Sequence, residues 1–466
     1  MPKTALAPLI LALLLAGCAV TPQRPPAEAP PPANFRGSDE WQRVAPEVAV
    51  PEAWWTLFKD PVLDGLQADL VVGNQNLAAA LAQVDSARAV LRASQSAIFP
   101  TLSVGAGSTR SASTGNADGQ RSVATSNSLT ANAAWEIDLW GRLAEGVKAA
   151  GASYQASQAD LAALRLSAQA TLAQSYFALR TAEAQQALLE RTITANERAL
   201  ALTQARYAGG VVAQTDVLQA RTQLRGAQSQ LSDVRASRAQ LEHAIAAQLG
   251  KLPGQFRLPP GSQLPELPPV PDLLPSTLLA QRPDIAAARA RQTAAYAQIG
   301  IADAAFFPTV NLSASAGYRG ASWSNLVSAP NLLWSLGAAV AAPLLDGGQR
   351  RLASTQARAS AEAATANYRQ AVLTAFQEVE DNLVQFAESG ASLALQRDAF
   401  EAAERNLELV LAQYRAGTVS FLNVSAAQAA ALSAEGNLLS SRNRQLVAAS
   451  LLLKNLGGRL PSATQQ

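Results

Sequence analysis

Residues 128–139 alternate without a break, with Leu129, Ala131, Ala133, Trp135, Ile137 and Leu139 set against Ser128, Thr130, Asn132, Ala134, Glu136 and Asp138. A period of two places the two sets on opposite faces of a strand. Residues 101–110 begin in the same style, Leu102, Val104 and Ala106 against Thr101, Ser103 and Gly105. The Ser/Thr/Gly/Asn-rich stretch from Ser108 to Asn127 reads as the loop between them. The device returns at 309–319 (Val310, Leu312, Ala314, Ala316, Tyr318) and at 333–344 (Trp334, Leu336, Ala338, Val340). These strands approach the ~10 residues that a tilted strand needs to cross a bilayer. A soluble sandwich with one buried face would show the same alternation.

A different period follows each hairpin. From 143, and again from 350, the chain runs for more than sixty residues without proline. Positions 143, 147, 150, 154, 157, 161, 164 and 168 step by four and three, and all but Ser157 are Leu, Val, Ala or Tyr; Val372, Phe376, Val379, Leu383 and Phe386 keep the same rhythm. That is coiled-coil spacing. At 1.5 Å per residue each helix would be roughly 95 Å long.

The chain repeats itself. The turn 206–216 (Arg206-Tyr207-Ala208-Gly209-Gly210 through Thr215-Asp216) returns 207 positions later as the turn 413–423, with Tyr414, Gly417 and Asn423 in place of Tyr207, Gly210 and Asp216. Ile98-Phe99-Pro100-Thr101 returns as Phe306-Phe307-Pro308-Thr309 at a displacement of 208. Each half is then helix, strand, strand, long helix, tight turn, helix. The first repeat takes 51–250 and the second 276–458. The segment 251–275 holds eight prolines and joins them as a linker. Residues 459–466 form a C-terminal tail. Units this long are a duplication and not a solenoid array. The glycines sit where a helix C-cap needs positive φ.

The N-terminus carries an address. Lys3, an apolar run from Leu9 to Leu15 and small residues before Cys18 make residues 1–17 a signal peptide. Leu15-Ala16-Gly17-Cys18 resembles the bacterial lipobox, which implies diacylglycerol and an acyl chain on Cys18; a plain secretory signal that happens to contain Cys is the other reading. Cys18 is the one cysteine in the chain, which rules out an internal disulfide. Ala19 stands where Asp would direct a lipoprotein to the inner membrane, so the outer membrane is the expected address. Residues 18–50, Pro-rich from Thr21 to Ala33, read as a tether.

Composition removes other classes. A net charge of +2 on 466 residues with scattered basic side chains gives nucleic acid nothing to bind. His243 is the one histidine, which excludes a His-based metal site or triad. No cofactor and no catalytic residue is expected, and the chain does not read as an enzyme.

The motifs Trp54-Trp55 with Asp60-Pro61, the two Phe-Pro steps, Trp135 to Arg142, Gln281-Arg282-Pro283-Asp284-Ile285, Leu345-Asp346-Gly347-Gly348 with Arg350, Phe376 to Asp381 and both Tyr-x-x-Gly turns stand in a specific order. Together they resemble the outer membrane factor family of TolC-like efflux channels, and within it the NodT-like lipoprotein branch. The resemblance implies a mainly α fold with a small β part. Long antiparallel coiled-coil helices form a periplasmic α-barrel, and each protomer of a homotrimer gives four strands to a twelve-stranded transmembrane β-barrel. It also implies a passive exit duct among outer-membrane lipids, opened by a periplasmic adaptor protein and an inner-membrane pump of the resistance-nodulation-division type. It assigns Tyr207, Gly210, Asp216, Tyr414, Gly417 and Asn423 to the periplasmic tip and gate. Related channels carry acidic residues just after the second turn. Asn423 and Ala426 stand at those positions here, which predicts low cation selectivity. Apart from the resemblance, four strands cannot close a barrel in lipid, so the pattern itself demands more than one chain. A periplasmic coiled-coil adaptor or structural lipoprotein without a pore also fits long heptad helices and a lipid anchor; the hairpins are what it fails to explain.

Overall fold

The computed structural model describes Pro25 and residues 51–114, 121–261, 263–268 and 282–457. The signal peptide, Cys18, nearly all of the tether, Gln281, part of the linker and the 459–466 tail lie outside the described residues. Packing divides the chain into two compact units that do not follow its two halves: Gln83–Gln158 with Ala287–Arg369 make one, and Ala159–Ala286 with Gln370–Gln466 and the residues before Gln83 from Ala29 make the other.

The first unit holds the strands β1 (Thr101–Thr114), β2 (Arg121–Ile137), β3 (Thr309–Gly320) and β4 (Leu332–Ala341), in one antiparallel sheet of order β1-β2-β3-β4. Its register aligns the alternation of all four. Leu102 lies opposite Ala133, Ala133 opposite Ala314, and Ala314 opposite Leu336. The next row on the same face runs Val104, Ala131, Ala316, Trp334. On the other face Ser103, Asn132, Ser315 and Ser335 form one row. The apolar face is open: Leu102, Val104, Trp334, Leu336 and Val340 are each more than two-thirds exposed.

β1 and β2 reach farther toward their hairpin than the alternation implies, while β2 ends at Ile137 rather than 139. The stretch 108–127 is not all loop, because β1 continues to Thr114 and β2 starts at Arg121. Ser and Thr serve a strand as well as a loop once cross-strand bonds hold them. Asn127, almost fully buried, accepts from Ser108 Oγ (2.7 Å) and donates to Ala321 O (3.0 Å), which ties β1 and β2 to the end of β3. At the near end β4 stops at Ala341 rather than 344, ahead of Pro343.

The helices are α1 (Pro61–Gly73), α2 (Gln75–Ser96), α3 (Arg142–Ala208), α4 (Gln214–Gln248), α5 (Pro283–Ala304), α6 (Gln349–Ala416) and α7 (Phe421–Gly457). Two of them, α3 and α6, run 67 and 68 residues. Both start one residue earlier than the pattern suggested, each after a carboxylate cap. Asp138 accepts from the amides of Leu143 and Ala144, and Asp346 from those of Gly348 and Arg350. The seam of α3 differs from the 150/154/157 face. Ala149, Ala152 and Ala156 are the buried positions, while Ala150, Tyr154 and Ser157 are half-buried. Small side chains let a neighbour come close; Leu91 of α2 lies 3.7 Å from where a Cβ on Gly151 would stand. On α6 the expected Val379 and Leu383 are buried.

The second unit is centred on Trp54, Phe58, Leu63 and Leu70, packed against Leu172, Tyr176 and Phe177 of α3, Ile245 and Leu249 of α4, and Leu446 and Leu453 of α7. Asp60 caps α1 at the amides of Val62 and Leu63 (2.9 and 3.2 Å), with Pro61 in the first helical turn, and its other oxygen takes the Tyr176 hydroxyl at 2.6 Å. Burial, and then this carboxylate, push the Tyr176 hydroxyl pKa well above its ordinary value. The linker is tied down by charge. Glu183 accepts from Arg180 (2.6 Å), from Arg238 (3.0 Å) and from the amide of Gly261 (3.0 Å).

Candidate functional site

The two Tyr-x-x-Gly turns lie together in the second unit. Each long helix ends the same way. The amide of Gly210 donates to Tyr207 O and that of Val211 to Arg206 O; the amide of Gly417 donates to Tyr414 O and that of Thr418 to Gln413 O. These are Schellman closures, which need a left-handed residue at the glycine. Gly210 has φ +73° and Gly417 has φ +80°. A Cβ at either would meet nothing within 4 Å, so conformation and not crowding demands glycine there.

Beyond the backbone the two turns are unlike. Tyr207 is 46% exposed, whereas Tyr414 is 4% exposed and packs with Phe421, Val424 and Ala220. The Tyr414 and Phe421 rings meet edge to face at 5.7 Å. From the first turn, Arg206 reaches across to the second. Its Nη1 donates to Tyr414 O (3.0 Å), its Nη2 donates to Arg415 O (3.1 Å), and its guanidinium carbon lies 4.6 Å from the Tyr414 ring centre. Those carbonyls lie in the last turn of α6, where the ladder of helix amides ends, and Tyr414 O takes the guanidinium in addition to the Gly417 amide. Cation and helix C-terminus also attract as charge and dipole. Thr203 Oγ1 lies 3.3 Å from the Tyr414 hydroxyl.

Asp216 is half-buried in the first turn of α4, and Asn423 is exposed in the first turn of α7. The structure thus brings Tyr414 into a cluster with Arg206, Thr203 and Phe421, and leaves Tyr207, Asp216 and Asn423 outside it. Arg206 is not among the residues to which the turn pattern points. Its one sequence signal, a basic residue in the last helical turn, ordinarily points to its own helix end. Farther along, a groove of about 920 Å³ runs between α3, α4 and α7, with Gln185, Asn196, Gln223, Ser425 and Asn437 among its lining. Gln223 donates to Ser425 there, joining α4 to α7.

Other motif residues support the two units. At the base of the sheet Trp140 stacks on Phe307 (centroids 4.8 Å apart) and donates to Pro308 O (2.6 Å), while Trp135 donates to Ile98 O (2.8 Å). Arg142 grips Glu136 with both arms. Arg282, almost fully buried, forks Asp284 and bonds Glu378 of α6 at 2.7 Å.

No helix among the described residues is long and apolar enough to cross a membrane. One face of the sheet exposes large apolar side chains. Comparison with known proteins agrees in direction. The family model described as outer membrane efflux protein matches residues 68–251 and 274–458. The antibiotic efflux pump outer membrane protein ArpC of Pseudomonas putida is 30% identical over 464 residues, covering 98% of this chain and 96% of that one. Nodulation protein T of Rhizobium leguminosarum bv. trifolii is 28% identical over 419 residues, 89% of each. The solved outer-membrane channel OprN superposes with a TM-score of 0.88 at 28% identity, over 95% of this chain and 100% of that chain. Fold, motif order and sequence agree that this chain belongs to the outer membrane efflux protein family, the channel components of efflux systems in the outer membrane.

Proposed function

We propose that this outer-membrane efflux channel works as a homotrimer in which three copies of the four-stranded sheet close one twelve-stranded barrel. The observation that carries this is the pair of apolar rows that cross all four strands, Leu102–Ala133–Ala314–Leu336 and Val104–Ala131–Ala316–Trp334, exposed on a sheet whose outermost strands β1 and β4 each have one unpaired side within the chain. Unpaired edges are not tolerated in lipid, so other copies must complete the ladder. The polar face, with its rows of Ser, Thr and Asn, then lines water. The protein is a passive duct, and transport energy comes from an inner-membrane pump of the resistance-nodulation-division type joined through a periplasmic adaptor. The pump named in the relatives' descriptions supports that partnership. Cys18 carries the lipid that adds a second anchor. Tyr207, Gly210, Asp216, Tyr414, Gly417 and Asn423 form the tip where the adaptor docks, and a ring bearing Asn423 in place of carboxylates gives low cation selectivity.

The test is a pair of substitutions one residue apart. Lysine on a lipid-facing position costs about 2–4 kcal/mol at mid-membrane, and a trimer bears it three times. Leu336→Lys should abolish trimer insertion and conductance in planar bilayers, while Ser335→Lys on the opposite face should keep both. Equal tolerance of the two changes would sink the channel reading and favour a lipoprotein without a pore.

A further inference from the structure

The two hairpins superpose at unequal displacements, and this fixes a register that the single chain does not display. Thr101 pairs with Ala134 in the first hairpin, and Thr309 pairs with Ala341 in the second. The same side-chain bond marks both pairs: Thr101 Oγ1 donates to Ala134 O at 3.2 Å, and Thr309 Oγ1 to Ala341 O at 3.4 Å. β1 therefore maps onto β3 at a displacement of 208, and β2 onto β4 at 207. The seam between the halves, β2 against β3, is visible in one chain, with Ala133 opposite Ala314 and Ala131 opposite Ala316.

Applying the repeat to that seam generates the seam between copies. We propose that β4 of one protomer pairs antiparallel with β1 of the next in the register that sets Val340 opposite Ala106 and Ala338 opposite Ser108. The occupant of each free edge is a second copy of this chain, and the proposal rests on the trimeric reading above.

Two observations support it. This register keeps the whole of β4, Leu332–Ala341, within the span of β1, Thr101–Thr114, so no residue of β4 is left without a partner strand. It also keeps side-chain parity: Val340, Leu336 and Trp334 stand opposite Ala106, Arg110 and Ala112, which share a face with Leu102 and Val104, and a slip by one residue would turn them to the other face. It also implies a contrast at the base. Trp140 covers Phe307 in the seam between the halves. The repeat brings Gly347 to the same place against Phe99 of the next copy. Glycine has no ring to offer, and Phe99 is 68% exposed in the single chain. The seam between copies therefore lacks the indole clamp that closes the seam within the chain.

Disulfide trapping reads the register directly. Cβ atoms directly opposite in an antiparallel pair lie about 4.5–5.5 Å apart, while diagonal neighbours lie about 7–8 Å apart, and a disulfide holds Cβ atoms about 3.5–4.5 Å apart. Val340→Cys with Ala106→Cys should, on mild oxidation of the detergent-extracted full chain, give covalent dimers and trimers on denaturing gels. Ala338→Cys with Ser108→Cys should do the same and serves if the first pair fails to assemble. Val340→Cys with Val104→Cys, or with Ser108→Cys, should cross-link at least tenfold more slowly. Faster trapping by either slipped pair, or no trapping by any pair in a particle of trimeric mass, overturns the register and leaves the trimer standing. A particle whose light-scattering mass is not trimeric overturns the reading beneath it.

Discussion

Replacing Arg206 by alanine removes two bonds to the last carbonyls of α6, at 3.0 and 3.1 Å, and the guanidinium from the face of Tyr414. The guanidinium is half-exposed, so water and salt reduce the gain. A cation at a helix C-terminus contributes about 0.3–1 kcal/mol, and an exposed cation–π contact about 0.5–1 kcal/mol. Together they give about 1–2 kcal/mol for holding the second turn closed. Local opening should then be about 5–30-fold more frequent. Amide exchange followed by mass spectrometry on fragments spanning 411–420 would report it, with the Gly417 and Thr418 amides speeding up and those of the β-sheet unchanged. Arg206→Lys keeps the charge but loses the fork, and should recover roughly half of the protection. Unchanged exchange at Gly417 and Thr418 in Arg206→Ala would refute the capping argument. Full recovery with lysine would refute the role given to the two-armed geometry.

Glu183→Ala leaves the buried Arg180 without its carboxylate and should destabilise the second unit by about 3–5 kcal/mol, read as a lower thermal midpoint in detergent. Gly73 and Gly65 share α1 and should respond oppositely to alanine. A Cβ on Gly73 would lie 2.1 Å from the backbone oxygen of Leu249 and should impair folding, whereas Gly65 has nothing within 4 Å and should gain about 0.5–1 kcal/mol. The Arg350 side chain, with the amides of Arg350 and Gly348, holds the Asp346 carboxyl down at about 2, against 3.8 for the free group. A depressed carboxyl contributes stability in full above pH 3.8 and loses it as pH falls toward 2. Fraying of the start of α6 should rise through that window in the parent chain and be independent of pH there in Asp346→Asn, as followed by amide exchange.

What could be read in the residues was what local geometry enforces. Gly210 and Gly417 announce their turns because positive φ is a property of one residue, and the alternation from Leu129 to Ile137 needs only a single strand to be meaningful. Reading failed where a choice depends on the neighbour. Steps of three and four fit the face through Tyr154 and the face through Ala152 equally well; closeness of a second helix selects the alanines, although the larger side chains lie on the other face. Ser108 to Thr114 looked like loop because its composition suits either state, and the cross-strand ladder to Arg121–Asn127 decides. Arg206 gave no sign of its acceptors, which sit 208 and 209 residues away.

The unlike turns bear on why two copies of the repeat share one chain. The donor arm, Arg206, belongs to the first copy, and Gln413 stands at its counterpart in the second; the buried ring, Tyr414, belongs to the second, and its counterpart Tyr207 is exposed. Neither copy alone holds both sides of the contact. Separate repeats could associate first with first or second with second, which would set two donors or two rings side by side. Covalent fusion removes those pairings. It fixes one donor to one acceptor within each polypeptide.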